Sequence, residues 1–300
     1  KKLGQQQAAD GLHQPLLQLK LQLLMALLQF MATTVDSGDI NSVQVEAANT
    51  TEAGALTTSA SAREREGSVV DYDIIDLRDG NRDLLDQVYA DLLSTHFPIA
   101  DELDDLEDMR TNICKEADGR FPELHILVAR NGEALMGCAC FEYYPVSNVC
   151  LLSYICVSAP FRRQGVAQAL VRELEERMER RAGADQLAAI LAETHEVSVE
   201  DGIMDAGLRQ AVLASLGFQC IQFDYTQPPL SRGHNPCGGL RLLVRNKSSL
   251  HSAVLISFLD DFAGSVFDYD GSWKNETYYL KQVDQLQKVT LVNATGERPW

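Results

Sequence analysis

The residues best suited to chemistry lie where a buried strand passes into a helix. Residues 151–170 read LLSYICVSAPFRRQGVAQAL, and the helix opens within RRQGVA. The first N–H groups of a helix have no intrahelical acceptor, and the helix dipole adds positive potential there. Because Gly165 and Ala167 lack bulky side chains, the backbone can approach an anion closely, and Arg162 and Arg163 add positive charge. The spacing alone fits two interpretations equally: a pyrophosphate site, or an Arg-rich helix start with small residues for packing.

A sheet and several helices must position this segment. Runs rich in β-branched residues predict strands, and apolar spacings of three and four predict helices. The predicted strands are Val69–Leu77, Leu124–Arg130, Leu135–Tyr144, Val149–Val157, Leu187–Ala192, Phe218–Tyr225 and Gly239–Val244. The predicted helices are Asp83–Thr95, Asp101–Glu116, Gly165–Arg181, Gly202–Leu216, Leu250–Phe262 and Thr277–Leu286. A hairpin turn at Asn131-Gly132 precedes the central helix, so the fold class is α/β with a mixed sheet.

The motif and its flanking elements resemble the GNAT superfamily of acyl-CoA-dependent N-acetyltransferases. That family carries Arg/Gln-x-x-Gly-x-Gly/Ala after a strand that ends in an apolar-x-Val run, and Arg162, Gly165 and Ala167 match it. A Rossmann fingerprint and a P-loop are both missing. The resemblance covers about residues 69–245 and implies a GNAT-like acyl-CoA N-acyltransferase fold, with extra C-terminal helices over 250–287.

The resemblance implies acetyl-CoA as the co-substrate, and no metal. The residues it implies for binding form one strand end and the following loop: Ile155, Cys156, Val157, Arg162, Arg163, Gln164, Gly165, Val166 and Ala167. The strand would pair with the pantetheine amides as if a peptide strand were added, and the loop from Arg163 would hold the pyrophosphate. The thioester would lie in a gap between two splayed parallel strands, Val149–Val157 and Leu187–Ala192.

Transfer to an amine needs a base for the ammonium proton and a donor or other stabilisation for the CoA thiolate. The Glu and Tyr that are common in the family correspond here to Leu151 and Leu213, so both are missing. Glu193, at the end of the fifth strand, is the preferred candidate base, and Glu142 is the second. Ser153 and His195 complete the set of candidates.

Charge limits the classes of partner. The chain has 26 Lys and Arg against 43 Asp and Glu, a net charge of -17. This field disfavours nucleic acid and favours a cationic or amine-bearing partner, unless it serves only solubility. The run Asp101–Asp108 (DELDDLED) is either an acidic wall beside a cationic acceptor or a solvated helix face. The proline-containing loop Thr226–Cys237 is a candidate cap for the acceptor mouth.

Seven cysteines without a C-x-x-C pair or zinc spacing predict reduced thiols in a cytoplasmic protein, with the nucleus as the alternative location. Cys156 as an acyl-accepting nucleophile is disfavoured because no His lies near it in the sequence. A buried core thiol is the preferred interpretation.

The first 67 residues differ in composition from the rest. Leu16–Met31 is apolar but interrupted by Lys and Gln, and it is too short to span a bilayer. Residues 32–67 are rich in Thr, Ser, Ala and Gly, which is typical of a linker. The predicted organisation is a leader and disordered linker over 1–67, with residues 1–30 outside the working domain, followed by one acetyltransferase domain over 68–300.

These observations predict an N-acetyltransferase that moves an acetyl group from acetyl-CoA directly to a primary amine of a small molecule or peptide. A non-catalytic acyl-CoA-binding sensor or scaffold with the same fold is the alternative, since the common Glu and Tyr are missing. No nucleic-acid partner and no stable membrane insertion are predicted, and the sequence does not indicate an oligomeric state.

Overall fold

A computed structural model describes residues 71–97, 103–116, 119–183, 186–196, 206–230 and 235–295. The predicted leader and linker over 1–67 lie outside these residues. The strands are β1 Asp73–Asp76, β2 Glu123–Asn131, β3 Ala134–Tyr144, β4 Val149–Val157, β5 Ala189–His195, β6 Phe218–Ile221, β7 Leu240–Arg245, β8 Ser249–His251 and β9 Leu291–Thr295. The helices are α1 (82–96), α2 Leu106–Cys114, α3 Val166–Ala182, α4 Ala206–Ser215, α5 Ser252–Val266 and α6 Thr277–Gln287.

The strands form one sheet in the order β1-β2-β3-β4-β5-β7-β6-β9-β8. β4 and β5 run parallel. All remaining pairs of neighbouring strands in the described chain are antiparallel. A long crossover through α3 joins the two parallel strands, as parallel pairing requires. The predicted mixed α/β fold class is confirmed.

Helices cover both faces of the sheet. α3 and α4 pack on one face, where Leu170, Leu174 and Leu213 join a buried cluster with residues of β2 to β7. α1 and α2 pack on the opposite face over the β1–β4 end of the sheet. α5 and α6 continue that opposite face over β4 to β9. The opposite face is therefore built from the first two and the last two helices of the chain.

α1 changes its winding along its length. It begins with a 3-10 turn, Arg82–Leu84, and continues through Leu85–Val88 into a π-helical turn, Tyr89–Leu93, before Ser94–His96. π-helical turns are frequent at functional sites. This turn presents Leu92 and Leu93 to the buried cluster, and α1 ends at His96 with Phe97 as its C-cap.

Several predicted boundaries were wrong. β5 continues through Glu193 to His195, because its last residues still pair with β7, whereas the predicted strand ended at Ala192. The helix predicted from Leu250 begins at Ser252, since residues 249–251 pair as a strand with β9. β9 itself was missed because its alternating pattern is short, and it inserts between β6 and β8.

A buried ionic network fixes α3 against the sheet. The Asp76 carboxylate on β1 lies 2.7 Å from His125 Nδ1 and 3.5 Å from the Arg177 guanidinium of α3. Arg177 also donates to Asp79 at 2.6 Å. The pKa of Asp76 lies below its ordinary value, since hydrogen bonds and the positive charge of its partners outweigh its burial. The network thus fixes the far half of the helix whose N-terminus carries the RRQGVA loop.

Candidate active site

A gap opens in the sheet between its two parallel strands. β4 and β5 pair from Val149 and Ala189 as far as Leu152 and Ala192, and no pairing follows in the described chain although both strands continue. At the same level Ser153 is an extra residue in β4, because Leu152 pairs with Phe141 while Tyr154 pairs with Cys140. A β-bulge bends its strand. The bulge therefore accounts for the divergence of β4 from β5.

The edge of β4 beyond the bulge offers backbone groups to this gap. Ser158 N donates to Met136 O at 2.9 Å, so by alternation the backbone groups of Tyr154 and Cys156 also point toward β3. The backbone groups of Ile155 and Val157 point the other way, toward the gap. Cys156, which is also predicted to bind the cofactor, therefore directs its backbone groups toward β3. Ile155 and Val157 retain the required orientation, although Val157 O already accepts a bond from Arg162 Nε at 3.1 Å.

The N-terminus of α3 lies after this strand. Gly165 caps the helix in the left-handed region with φ 81° and ψ 3°, and its carbonyl accepts the first intrahelical bond from Ala169 N at 2.9 Å. A Cβ built on Gly165 meets nothing within 4 Å, so the space before the helix is open. The N–H groups that precede Ala169 have no acceptor within the helix. A pyrophosphate fits this arrangement, because donors, dipole and space coincide.

The side chains of the loop before α3 include one that bonds within the loop and several that are exposed. Gln164 Nε2 donates to Pro160 O at 2.9 Å, and Arg163 adopts φ 62°. Arg162, Arg163 and Gln164 are exposed, while Val166 is buried in the α3 core and Ala167 is half-buried. The predicted loop residues are therefore together in space. Val166 contributes packing rather than a side chain facing the open space.

A cavity of about 290 Å³ lies on the opposite face of the sheet, beside the gap. Its walls come from Phe97 after α1, from α2 and the residues that flank it, from strands β2 to β5 and β7, from Arg209 of α4, from α5 and from the 226–237 loop. Apolar lining residues include Phe97, Met109, Leu124, Tyr144, Leu151 and Phe262, and polar ones include Asp104, Lys115, Glu142, Ser153, Glu193, Thr194, His195, Arg209 and Gln227. Both predicted candidate bases thus line one cavity.

Glu193 lies one residue past the last β4–β5 pair and faces this cavity. Its Oε1 accepts a hydrogen bond from the Tyr225 hydroxyl, and its Oε2 accepts one from Gln227 Nε2 at 2.8 Å. Burial raises the pKa of Glu193 to about 7, against the opposing effect of both hydrogen bonds. The carboxyl group can therefore exchange a proton near neutral pH.

Glu142 lies two strands away on the same face. It pairs with Leu151, which in turn pairs with Leu191, and Glu193 follows Leu191 by two residues. Ser153 Oγ donates to Glu142 Oε2 at 2.7 Å. Burial and the nearby charges of Asp104 and Glu193 raise the pKa of Glu142 to about 8.

Asp104 brings a third carboxyl group to the cavity. Its Oδ2 accepts a bond from the Tyr154 hydroxyl at 3.1 Å, and burial raises its pKa. Asp105, Glu107 and Asp108 of the same acidic run are exposed. The two interpretations of the run therefore apply to different residues: Asp104 forms a cavity wall, and its exposed neighbours form a solvated surface.

Sequence reasoning missed the residues that hold Glu193. Tyr225 and Gln227 follow β6. Gln227 forms an isolated antiparallel β-bridge with Cys237, with N···O distances of 2.9 and 3.0 Å. This bridge closes the 226–237 loop, so Gln227, Leu230 and Cys237 line the cavity as the predicted cap would. The available signal in the sequence was the position of Gln227, a polar residue between Tyr225 and the two prolines at 228 and 229.

Cys156 has a histidine beside it that its sequence neighbourhood did not indicate. His96 lies close enough to Cys156 to influence the pKa of its thiol, and Cys138 Sγ lies 3.5 Å from Cys156 Sγ. The hydrogen bond from Cys138 and burial nevertheless raise the pKa of Cys156 well above its ordinary value. The thiol stays protonated at neutral pH, which favours the interpretation as a core thiol.

Replacing Glu142 by Gln should raise thermal stability at alkaline pH. In the folded protein the pKa of Glu142 is raised to about 8, so the folded state retains a proton that the unfolded chain releases near pH 4.5. Stability from this group is present below pH 4.5 and is lost as pH rises to about 8. Gln resembles the protonated form. We expect a Tm at pH 8.5 at least about 3 °C above wild type, and a difference within about 1 °C at pH 5.

Calorimetry at both pH values checks this result. Glu133→Gln, at the exposed β2–β3 turn, is the matched control and should show no such divergence. If the Tm of Glu142→Gln differed from that of the wild type by the same amount at pH 5 and at pH 8.5, the raised pKa of Glu142 in the folded protein would be contradicted.

Two negative findings concern the described residues only. In that part of the chain no helix combines the length and the apolar character needed to cross a bilayer. No group of three or more His, Cys, Asp or Glu side chains there is arranged to hold a metal ion.

A family model matches the part of the chain that carries this geometry. The model of the acetyltransferase (GNAT) family matches residues 85–200. Among solved structures, a GNAT-family acetyltransferase from Bacteroides thetaiotaomicron has 18% identity and a TM-score of 0.42, covering 59% of this chain and 88% of its own. The ribosomal-protein-S18-alanine N-acetyltransferase of Escherichia coli has 17% identity and a TM-score of 0.38, covering 58% and 93%. A search of curated proteins gives no match.

The matched segment runs from α1 through β5 and so includes the bulged strand, the gap and the N-terminus of α3. These are the elements whose residues carried the resemblance in the sequence. Residues 85–200 thus form a segment that matches the acetyltransferase (GNAT) family.

Proposed function

We propose that this protein transfers an acetyl group from acetyl-CoA to a primary amine. The observation that carries the proposal is the gap between β4 and β5. On one side it adjoins the open helix N-terminus at Gly165, and on the other it adjoins the cavity that contains Glu193. A thioester in the gap would therefore meet an amine in the cavity.

The N-terminus of α3 would bind the pyrophosphate of acetyl-CoA. Its free N–H groups and the helix dipole attract the anion, while Arg163 adds charge at the exposed loop. The backbone groups of Ile155 and Val157 would pair with the pantetheine amides along the edge of β4. This extended pairing would align the thioester with the level of Ser153, where the gap begins.

Glu193 would act as the general base. An alkylammonium group loses a proton to the carboxylate, and the neutral nitrogen attacks the thioester carbonyl carbon. The new N–C bond forms and the C–S bond breaks, the nitrogen loses its second proton to give the amide, and the departing CoA thiolate takes up one proton. A pKa near 7 suits this role, since a base is most effective when its pKa lies near the working pH.

Release of free CoA thiol in the presence of acetyl-CoA and a panel of primary amines tests the proposal. Thiol release that depends on both the amine and the protein, with the acetylated amine found by mass spectrometry, is the expected result. Binding of CoA without thiol release from any amine would instead identify a non-catalytic acyl-CoA sensor or scaffold.

A Tyr225→Phe variant should shift the pH profile rather than abolish turnover. The Tyr225 hydroxyl donates to Glu193 and lowers its pKa, so its removal raises that pKa further. A neutral hydrogen bond of about 1 kcal/mol corresponds to roughly one pH unit. The acidic limb of the kcat/KM profile should therefore move upward by about one pH unit.

Tyr143→Phe is the matched control for this shift. Tyr143 is also buried and donates to Asn148 at 3.0 Å, but it lies in the α3 core on the other face of the sheet. An acidic limb that stays in place in Tyr225→Phe would show that Glu193 is not the titrating base.

A further inference from the structure

The β-bulge at Ser153 changes the direction in which its side chain points. Consecutive residues of a regular strand face opposite sides of the sheet. Here the Ser153 hydroxyl donates to Glu142 at 2.7 Å, while the hydroxyl of the next residue, Tyr154, donates to a second carboxyl group of the same cavity, that of Asp104. A bulge beside an active site commonly re-aims a side chain in this way. The Ser153 hydroxyl therefore reaches the cavity at the level where the β4–β5 gap opens.

The single proton of the Ser153 hydroxyl can point in two directions. A serine hydroxyl donates one hydrogen bond and accepts up to two. When Glu142 is a carboxylate, the proton of Ser153 points to it. When Glu142 is protonated, its carboxyl group can donate to Ser153 Oγ, and the proton of Ser153 becomes available to a group in the gap. Because the pKa of Glu142 is raised to about 8, the second arrangement prevails at neutral pH.

Titratable and charged groups surround Glu142 on the sheet and on the elements packed against it. They are Tyr144, Cys150, Tyr154, Glu193 and His195 on the strands, Asp104 before α2, Lys115 after α2 and Arg209 of α4. The α5 residues that line the cavity, Phe262, Ser265 and Val266, carry no charge. The negative charges of Asp104 and Glu193 add to the effect of burial on the pKa of Glu142. The result keeps Glu142 protonated although Lys115 and Arg209 lie on the same wall.

We propose that Ser153 donates its hydroxyl proton to the departing sulfur of CoA, and that Glu142 holds this hydroxyl in the donating orientation and replaces its proton. The inference rests on the proposed function, in which the thioester lies in the gap at the level of Ser153. As the C–S bond breaks, one proton passes from Ser153 Oγ to the thiolate and another passes from Glu142 to Ser153 Oγ. Glu142 then regains a proton from solvent. Ser153 is thus a catalytic residue, and Glu142 is a positioning residue that acts through it.

The two glutamates of the cavity suit different roles in this scheme. The pKa of Glu193 is about 7, so it loses its proton first and acts as the base, while Glu142 retains its proton to about pH 8. Such a separation of two pKa values within one site is typical of an acid and base pair. The Tyr that is common in the family corresponds to Leu213 of α4, which has no proton to give. In this chain the donor comes from β4 instead.

The pH dependence of kcat, with saturating acetyl-CoA and amine, tests the role of Glu142. Transfer requires its protonated form, so kcat of the wild type should fall as pH rises through about 8. The amide of Glu142→Gln does not titrate, so the alkaline limb should disappear while the acidic limb, which belongs to Glu193, remains. Glu133→Gln, an exposed change at the β2–β3 turn, should keep both limbs. An alkaline limb that persists in Glu142→Gln would overturn the assignment.

The thiol of bound CoA provides a second readout, which needs no turnover. A hydrogen bond to the thiolate lowers the pKa of the thiol, so removal of the Ser153 hydroxyl should raise it. Glu142→Gln serves as the reference protein, since its amide does not titrate in competition with the thiol. We expect the ultraviolet absorbance of the CoA thiolate to appear about one pH unit higher when Ser153→Ala is added, the scale of one hydrogen bond to a charged group.

Two further variants control this titration. Ser153→Thr keeps a hydroxyl group and should restore the lower thiol pKa. Ser252→Ala removes a hydroxyl at the start of α5, where it donates to Val289 O at 2.7 Å, and should leave the thiol pKa unchanged.

The outcomes separate this inference from the proposed function. A thiol pKa that rises with Ser153→Ala supports the donor even if no amine releases thiol, and that result would overturn only the transferase proposal. Amine-dependent thiol release together with a thiol pKa that ignores the Ser153 hydroxyl overturns the donor and leaves the transferase proposal intact. Failure of the wild type to bind CoA overturns both.

Discussion

A Gly165→Glu variant is expected to lose at least about 100-fold in affinity for CoA while remaining folded. The space before α3 is open where the new side chain would enter, and a carboxylate there opposes the negative charge of a pyrophosphate. It also competes for the free N–H groups of the first turn. Titration calorimetry with CoA measures the loss, and circular dichroism confirms that the fold is retained.

The left-handed backbone at Gly165 requires a control for strain. Gly271 has nearly the same conformation, with φ 85° and ψ -3°, and caps the short 3-10 helix Ser272–Asn275. A Cβ at Gly271 would likewise meet nothing within 4 Å. Gly271→Glu therefore introduces a similar conformational cost away from the β4–β5 gap. Wild-type CoA affinity in a folded Gly165→Glu protein would reject this loop as the pyrophosphate site.

A Glu193→Gln variant should bind CoA normally and lose roughly 100-fold or more in turnover, the usual scale for a positioned general base. The amide keeps the shape of the side chain but has no basic lone pair. At high pH a free amine can react without a base, so the mutant rate should approach that of the wild type only there. Measurement of kcat from pH 6 to pH 10 distinguishes the loss of a base from a general loss of activity.

Glu196→Gln is the matched control for this experiment. Glu196 directly follows the same strand but forms an ion pair with Arg241 at 3.2 Å outside the cavity. A Glu193→Gln protein with the turnover and pH profile of the wild type would exclude Glu193 and turn attention to Glu142 or to deprotonation by solvent.

The elements with the strongest local patterns were predictable. The long amphipathic helix α3 and the hairpin strands β2 and β3 follow from apolar spacing and from the Asn131-Gly132 turn, and the loop before α3 follows from its glycine and arginines. Two parallel strands around a gap also followed from the family resemblance. These features depend on residues close together in the sequence.

The surroundings of the candidate base could not be predicted in the same way. Tyr225 and Gln227 are more than thirty residues from Glu193, and their contact with it exists only because β7 pairs with both β5 and β6. The bulge at Ser153 arises from a register shift against β3, which no local propensity encodes. Raised pKa values require three-dimensional burial, and so they emerge only with the tertiary structure.

The position of β9 has a consequence for biosynthesis. This strand ends at Thr295 and pairs with Cys220 of β6, while α5 covers Tyr144 and Leu151 on the central strands. A ribosome therefore completes the entire 85–200 segment before α5 and α6, which cover the β4 to β9 part of the second face, emerge. Until then an apolar surface and an open strand edge are exposed, a state that favours aggregation. The nascent chain is thus expected to engage chaperones late in synthesis, and its folding rate to be limited by these distant pairings.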